Sequence, residues 1–219
     1  MRNLLYIIAL VILLFSCKKE KSTLRQVRFT GSVLDATNGV GISNVIVKMY
    51  WSNLVSSLET PIDSTSTDSQ GNYVFEQTIE ISKFDEHSLE TFAVVPSAYI
   101  STLDLEHTTV GVSTLGIQSD KLQMIPLFLY PKAQLRIKLN RTMTDTFAQF
   151  QVFYNYGGRN YWAALTNGSI SGTQTYDVFT AGHIQTRVFW KKIFNSGSST
   201  QADSIICLPT AANEIIMNY

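Results

Sequence analysis

Asp68-Ser69-Gln70-Gly71-Asn72-Tyr73-Val74-Phe75 joins a tight turn to the start of a β-strand, and this stretch decides the predicted fold. The Asp68 carboxylate is placed to cap the turn, and Gly71 is placed to take a positive φ. A calcium loop needs about six to eight oxygen ligands and several carboxylates, whereas this loop offers one carboxylate. After the turn, Tyr73 and Phe75 fall on the same face of a strand. The stretch therefore predicts a self-capped turn between two strands.

Period-two alternation extends this pattern along the first half of the chain. Val27, Phe29 and Val33 share one face of a first strand, and residues 45–51 alternate in the same way in a second. Further strand-like runs cover residues 89–95, 108–117 and 122–129. This half of the chain is therefore predicted to consist of half-buried β-strands.

Tyr130-Pro131-Lys132 marks the predicted boundary between two units, because a proline between two strand-like runs ends pairing on one side. Charge changes sign there: residues 26–130 carry 4 basic and 12 acidic side chains, whereas residues 131–219 carry 8 basic and 4 acidic ones. Seven strand-like runs follow the boundary, at residues 133–140, 149–156, 161–165, 173–180, 183–194, 204–208 and 214–219. Seven short strands in this length predict an immunoglobulin-like sandwich.

Three segments of the first unit together resemble a known family. Gly31-Ser32-Val33, Ile42-Ser43-Asn44-Val45-Ile46-Val47 and the stretch from Asp68 to Phe75 are similar to the carboxypeptidase-regulatory-like module. The resemblance covers residues 27–80 and implies a transthyretin-like β-sandwich of a kind common in exported Bacteroidetes proteins. Val40-Gly41 stands where that family often has a proline. The predicted fold class is all-β, with a transthyretin-like sandwich at 27–130 and an immunoglobulin-like sandwich at 131–219.

The N-terminus has the layout of a signal peptide. Arg2 precedes Leu4 to Phe15, an uncharged run of twelve residues, which is shorter than the roughly 20 residues that a membrane-spanning helix needs. Ser16 and Cys17 follow, and this arrangement resembles a bacterial lipobox, in which the chain is cut before the cysteine after a lipid joins its thiol. Lys18-Lys19-Glu20 after the cysteine is similar to the mature start of Bacteroidetes lipoproteins.

The lipobox resemblance implies a location. Residues 1–16 would be a cleaved signal peptide, residues 17–26 a polar tether, and Cys17 the lipidated residue that makes the membrane a partner. The expected location is the outer membrane, on its periplasmic or its cell-surface face. The alternative is an ordinary signal peptide followed by an incidental cysteine.

Composition argues against several classes of function. Removal of residues 1–16 leaves 16 basic and 17 acidic side chains, so no basic excess points to a nucleic-acid partner. Cys207 is then the one remaining cysteine beside Cys17, and its apolar neighbours predict a buried, unreactive thiol. His87, His107 and His183 are scattered without the spacing of metal ligands, and no phosphate-binding or nucleophile motif is present. We therefore predict no metal, no cofactor and no enzymatic activity.

Residues 153–162 hold the one concentration of aromatic side chains. Tyr156, Arg159, Tyr161 and Trp162 are the candidate ligand contacts, because rings beside hydrogen-bonding side chains suit sugar stacking or a protein contact. The alternative is that the inward rings are core and the others form cross-strand pairs. Separately, the segments at Asp63-Ser64-Thr65 and Asp203-Ser204-Ile205 resemble a short O-glycosylation motif of exported Bacteroidetes proteins, which makes Ser64 and Ser204 candidate acceptors.

These observations lead to two functional hypotheses. The first is a non-enzymatic, lipid-anchored binding or scaffolding module of the cell envelope, accessory to an outer-membrane uptake complex or to glycan binding. The second is an anchor or subunit similar to Bacteroidetes fimbrial proteins, which pair transthyretin-like domains behind a lipobox and assemble by strand exchange. A displaceable edge strand would favour the second hypothesis.

Overall fold

The computed structural model describes residues 24–53, 61–80, 82–83, 87–101, 109–114, 123–142, 146–167 and 172–219. These residues form fourteen strands and no α-helix. The strands are β1 (Leu24–Asp35), β2 (Ile46–Asn53), β3 (Pro61–Ser66), β4 (Asn72–Glu80), β5 (His87–Val94), β6 (Tyr99–Ile100), β7 (Thr109–Thr114), β8 (Gln123–Asn140), β9 (Gln149–Tyr156), β10 (Arg159–Asn167), β11 (Thr173–Ala181), β12 (Gln185–Phe194), β13 (Gly197–Ile206) and β14 (Asn213–Asn218). The chain is an all-β protein, as predicted.

Two clusters of buried side chains each lie between two sheets. In the first, β4, β1 and the first part of β8 pack against the sheet β3-β2-β5-β7. In the second, β11, β14 and the last part of β8 pack against the sheet β10-β9-β12-β13. Each pair of sheets is therefore a β-sandwich, because alternate side chains from both sheets fill the space between them.

The turn after β3 has the self-capped form that the sequence predicted. The Asp68 carboxylate accepts hydrogen bonds from the backbone N–H groups of Gln70, at 2.9 Å, and Asn72, at 2.8 Å. These bonds, that of Asn72 foremost, lower the pKa of Asp68. Gly71 has a φ of 80°, and a Cβ there would lie 2.6 Å from the Cα of Gly41. Glycine is required at this close approach of two loops.

Strand β8 runs through both sandwiches. It pairs with β1 in parallel as far as Leu129, and with β11 in antiparallel fashion from Lys132 onward. At the change of partner, the Pro131 carbonyl accepts a hydrogen bond from the Gly182 N–H at 2.7 Å. Pro131 thus does not end the strand, which corrects the prediction of separate strands at 122–129 and 133–140. The division into two domains at residue 130 stays a prediction.

A parallel pair of strands lies in each sandwich. β1 and β8 pair in parallel in the first, and β8 and β14 pair in parallel in the second. The short strand β6 also pairs with β8 and links the two cores, since Tyr99 packs against the first and Ile100 belongs to the second. The second core contains Trp190, which is 2% exposed.

Candidate ligand-binding surface

The hairpin of β9 and β10 carries the residues that the sequence singled out. Its turn is Gly157-Gly158, whose φ values of 58° and 85° suit glycine. Residues that face each other in an antiparallel pair point to the same side of the sheet. The register therefore puts Tyr161 and Tyr154 on one face of the sheet, and Trp162 and Phe153 on the other.

Tyr156 and Tyr161 lie on the inner face of this hairpin. They are 0% and 5% exposed, and their rings stack with centroids 4.7 Å apart. Burial puts both rings out of reach of a ligand at the surface, so they are core residues and not the ligand contacts that were predicted. Arg159 and Trp162 are exposed, and Trp162 retains 63% of its accessible surface. Their role as ligand contacts stays a prediction.

The outer face of the same sheet holds three aromatic side chains in a row. Trp162 of β10, Phe153 of β9 and Phe189 of β12 occupy facing positions on adjacent strands. The centroid of the Phe153 ring lies 5.8 Å from that of the Trp162 ring and 4.5 Å from that of the Phe189 ring. We call these three residues the aromatic row. Since strands lie about 4.8 Å apart, the row crosses about 10 Å of the sheet at right angles to its strands.

Two cations flank the aromatic row on the same face of β12. Arg187 comes two residues before Phe189 and Lys191 two residues after it, so all three side chains point outward. The Arg187 guanidinium lies 5.3 Å from the centre of the Phe189 ring, a cation–π distance. The register sets Asn155 beside Arg187 and Gln151 beside Lys191. The row is thus bordered on each side by one positive charge and one amide.

No carboxylate occupies an outward position on this sheet, within the four strands as the structure describes them. Besides the row and its two cations, the outward positions hold amides, hydroxyls and apolar side chains. They are Asn160 and Leu165 of β10, Gln149, Gln151 and Asn155 of β9, Gln185 and Ile193 of β12, and Ser198, Thr200, Ala202, Ser204 and Ile206 of β13. The Asn155 side-chain amide donates a hydrogen bond to the Asn160 carbonyl oxygen at 3.0 Å.

Sequence reasoning missed four members of this surface, namely Phe153, Phe189, Arg187 and Lys191. Phe153 lies in the predicted strand at residues 149–156, but it was not predicted as a ligand contact. Arg187, Phe189 and Lys191 lie in the predicted strand at residues 183–194, where no ligand contact was predicted. There, Val188 and Trp190 are buried while Arg187 is exposed and Phe189 is half-buried. That alternation was the signal that could have found them.

The remaining residues singled out from the sequence are Cys17, Ser64, Ser204 and Cys207. Cys17 lies outside the described residues. Ser64 of β3 and Ser204 of β13 are both exposed, so the acceptor prediction stays open. Cys207 is fully buried as expected, and burial raises the pKa of its thiol to about 11.

Neither a metal-binding cluster nor a membrane-spanning helix is present among the described residues. They contain no group of three or more His, Cys, Asp or Glu side chains that could hold a metal ion. Within those ranges, no helix has the length and apolar character needed to cross a membrane.

Comparison with known proteins finds only distant structural similarity. No protein-family model matches the chain, and no curated protein matches it. Among solved structures, a streptococcal ancillary pilin is 10% identical with a TM-score of 0.34, and the match covers 92% of this chain and 63% of that one. GBS52, the minor pilin of Streptococcus agalactiae, is 12% identical with a TM-score of 0.37, over 88% of this chain and 94% of that one. The shaft pilin SpaA of Lactobacillus rhamnosus GG is 9% identical with a TM-score of 0.31, over 89% and 97%.

At these identities and TM-scores, the similarity carries no argument about the fold or the function of this chain. The chain spans 63% of the length of the ancillary pilin.

Proposed function

We propose that this protein is a non-enzymatic, lipid-anchored glycan-binding module of the cell envelope, and that it holds its ligand on the aromatic row. The observation that carries the proposal is the exposure of Trp162, at 63%, in ring contact with Phe153 on the outer face of a sheet. A cluster of rings at a surface marks a contact site more often than a single exposed apolar side chain does.

The row is poorly suited to a purely structural role. The inner face of the same sheet already supplies the core with Phe150, Val152, Tyr154 and Trp190. Rings on the outer face add cross-strand contacts with each other, which are worth about 0.5–1.5 kcal/mol per pair. A solvent-facing tryptophan adds little to that core, so its exposed ring is available to a ligand.

The surroundings of the row fit a glycan. The row is bordered by amides and hydroxyls, including Asn155, Asn160, Gln151 and Ser204. Sugar rings have apolar faces that stack on aromatic rings and hydroxyl edges that bond to such groups. An extended glycan lying along the row would meet both kinds of contact.

The direction of the strands suits an anchor at Cys17. β1 runs parallel to β8. It begins at Leu24, and Phe29, five residues later, pairs with Gln123 at the start of β8. β8 then runs on for 18 residues, about 60 Å at strand geometry, into the second sandwich. The start of β1 is therefore at the end of the first sandwich that is remote from the aromatic row. A lipid at Cys17 would hold the row away from the membrane.

A glycan array probed with the full chain tests this function. We expect the wild-type chain to bind, and Trp162→Ala to lose at least ten-fold in affinity because the exposed ring is removed. Phe179→Ala is the matched control, since Phe179 is 52% exposed on β11, in the other sheet of the same sandwich. An array that stays blank, or equal binding by Trp162→Ala and the wild type, would sink the proposal. Capture of a protein partner through Trp162 would replace it.

Strand addition at β13 supports a second candidate function, that of a subunit in an envelope polymer. β13 is ten residues long, is paired with β12 along one side, and is exposed at nine of its ten positions. It carries no proline and no lysine, which natural edge strands use to block pairing with other chains. Such an edge can accept a strand from another molecule.

Light scattering after size-exclusion chromatography distinguishes this candidate. A polymerising subunit forms multimers that grow with concentration, and Ser199→Lys/Gln201→Lys on β13 should return it to a monomer. A chain that stays monomeric throughout the accessible concentration range rules the candidate out.

A further inference from the structure

The charges around the aromatic row narrow the class of glycan. We propose that the ligand is an anionic polysaccharide, whose sugar rings stack on the row while carboxylate or sulfate groups pair with Arg187 and Lys191. This inference rests on the proposed glycan-binding function and goes beyond it.

The position of the two cations is the first argument. Arg187 and Lys191 flank Phe189 on one face of β12, so one positive charge lies on each side of the row. A polymer that crosses the strands along the row would therefore run between two cations. The Arg187 guanidinium lies against the Phe189 ring at 5.3 Å, which holds it close to a sugar stacked on that row. Arginine also presents a planar set of N–H donors that fits a carboxylate or a sulfate.

The lack of competing acids is the second argument. The other sheet of this sandwich shows the contrast, because there Arg136 is paired with Asp177 through two hydrogen bonds of 2.9 and 3.2 Å. No outward position of the four described strands β9, β10, β12 and β13 holds an Asp or Glu side chain that could pair with Arg187 or Lys191 in this way. Their charges are therefore available to an anion from outside.

The charge of the surrounding sequence is the third argument. Residues 131–219 carry eight basic and four acidic side chains, although the chain as a whole carries 17 of each. A positive local potential attracts an anionic polymer and repels a positive one. Neutral glycans gain nothing from this excess, so charge sets the preference among polymers that stack equally well.

Matched cellulose derivatives test the inference with the full chain. Carboxymethyl cellulose and cellulose sulfate carry anionic groups, whereas hydroxyethyl cellulose has the same backbone without charge. In affinity electrophoresis we expect strong retardation by both anionic polymers and weak retardation by the neutral one. Salt at about 0.5 M, where the screening length falls to about 5 Å, should release much of the anionic polymer.

Two double variants separate local from overall charge. Arg187→Gln/Lys191→Gln should weaken the binding of both anionic polymers about ten-fold and leave hydroxyethyl cellulose unchanged. Arg136→Gln/Lys138→Gln removes the same charge from the outer face of the other sheet and should bind like the wild type.

Some outcomes overturn the inference and leave the proposed function intact. Equal retardation by charged and neutral cellulose would do so, as would equal losses in the two double variants, provided that Trp162→Ala still weakens binding at least ten-fold. One further result overturns the proposed function as well as the inference. If anionic polymers bind Trp162→Ala as tightly as the wild type, charge alone holds them and the aromatic row is not the site.

Discussion

The two outer faces of the second sandwich are built from the same kind of strand but carry different chemistry. On the sheet of β11, β8 and β14, the register places Asp177 and Glu214 on either side of Arg136. On the sheet of β10, β9, β12 and β13, the corresponding central line is the aromatic row. One face therefore has an ion pair on its central strand, whereas the other has a row of three rings flanked by cations.

The difference teaches which face needs a partner. Exposed ions that bond to each other and to water are satisfied without any other molecule, although such pairs add little to stability. Exposed rings leave apolar surface in water, and the cations beside them have no acid at an outward position of the four described strands β9, β10, β12 and β13. Substitutions on the two faces should therefore have different effects, because each lowers the stability of the fold, the affinity for a ligand, or neither.

The largest effect is expected from a pair of tryptophans on opposite sides of one sheet. Trp190 is 2% exposed and Trp162 is 63% exposed. Trp190→Ala should lower the free energy of unfolding by about 3–5 kcal/mol, because it opens a cavity in the core. Trp162→Ala should cost about 1 kcal/mol or less, since only ring contacts at the surface are lost. Urea denaturation of both variants measures the contrast.

A loss for Trp162→Ala as large as that for Trp190→Ala would break the comparison between the faces. It would mean that the aromatic row is structural packing that happens to lie outside. Phe179→Ala serves as the surface control, because its ring is also more than half exposed but lies on the ion-paired side.

The next effect is a loss of stability at alkaline pH from groups beneath the aromatic face. Burial raises the pKa of Cys207 to about 11 and that of Tyr154, directly inside the row, to about 12. A raised pKa means that the folded state favours the protonated form. The contribution is therefore complete below pH 9, the ordinary value of the thiol, and is lost as the pH rises through 11.

For the thiol alone the loss is on the order of 2–3 kcal/mol, from about 1.4 kcal/mol per unit of pKa. Urea midpoints measured between pH 9 and 12 should fall steadily, and Cys207→Ala should show a shallower fall. A wild-type midpoint that stays constant over this range would contradict the buried placement of both groups.

A buried pair of hydroxyls joins the two sheets and gives the third prediction. Thr180 of β11 and Thr186 of β12 are both 0% exposed, and their hydroxyl oxygens lie 2.5 Å apart. Thr186→Val should cost about 1–3 kcal/mol, because it leaves the Thr180 hydroxyl without this partner. Thr180→Val/Thr186→Val should recover part of the loss in urea denaturation. A double variant less stable than the single one would show that the bond is not the main interaction.

The sequence predicted those parts of this structure in which alternation and turn chemistry are local. The all-β class, the capped turn at Asp68 and the burial of Cys207 all follow from a few neighbouring residues. The first half of β13 was missed because Gly197 to Ala202 is polar or small throughout and exposed on both faces, so it shows no period. β8 was divided at Pro131 because the change of strand partner there depends on distant parts of the chain.

The candidate surface was half predictable for a similar reason. Alternation in β9 set Phe153 apart from the buried Tyr154, and the two-residue turn then fixed Tyr161 inward and Trp162 outward. The pairing of β9 with β12 brings Phe189 into line with them, and this requires a register that residue spacing does not contain.

The smallest effect is expected on the ion-paired face, where Asp177→Asn removes the partner of Arg136. The hydrogen bond from Arg136 lowers the pKa of the Asp177 carboxyl, so the pair stabilises the fold above the ordinary value of 3.8 and is lost as the pH falls through the lowered pKa. Both side chains are exposed, about 53% and 44%, so water and salt screen the interaction. Thermal unfolding at neutral pH should shift only slightly, and added salt should remove the shift.

Binding of anionic cellulose by Asp177→Asn should not weaken, because Asp177 lies on the other sheet. A clear loss of binding in this variant would mean that the two faces act together, whereas an unchanged affinity beside a weakened Arg187→Gln/Lys191→Gln variant assigns the anion to the aromatic face alone.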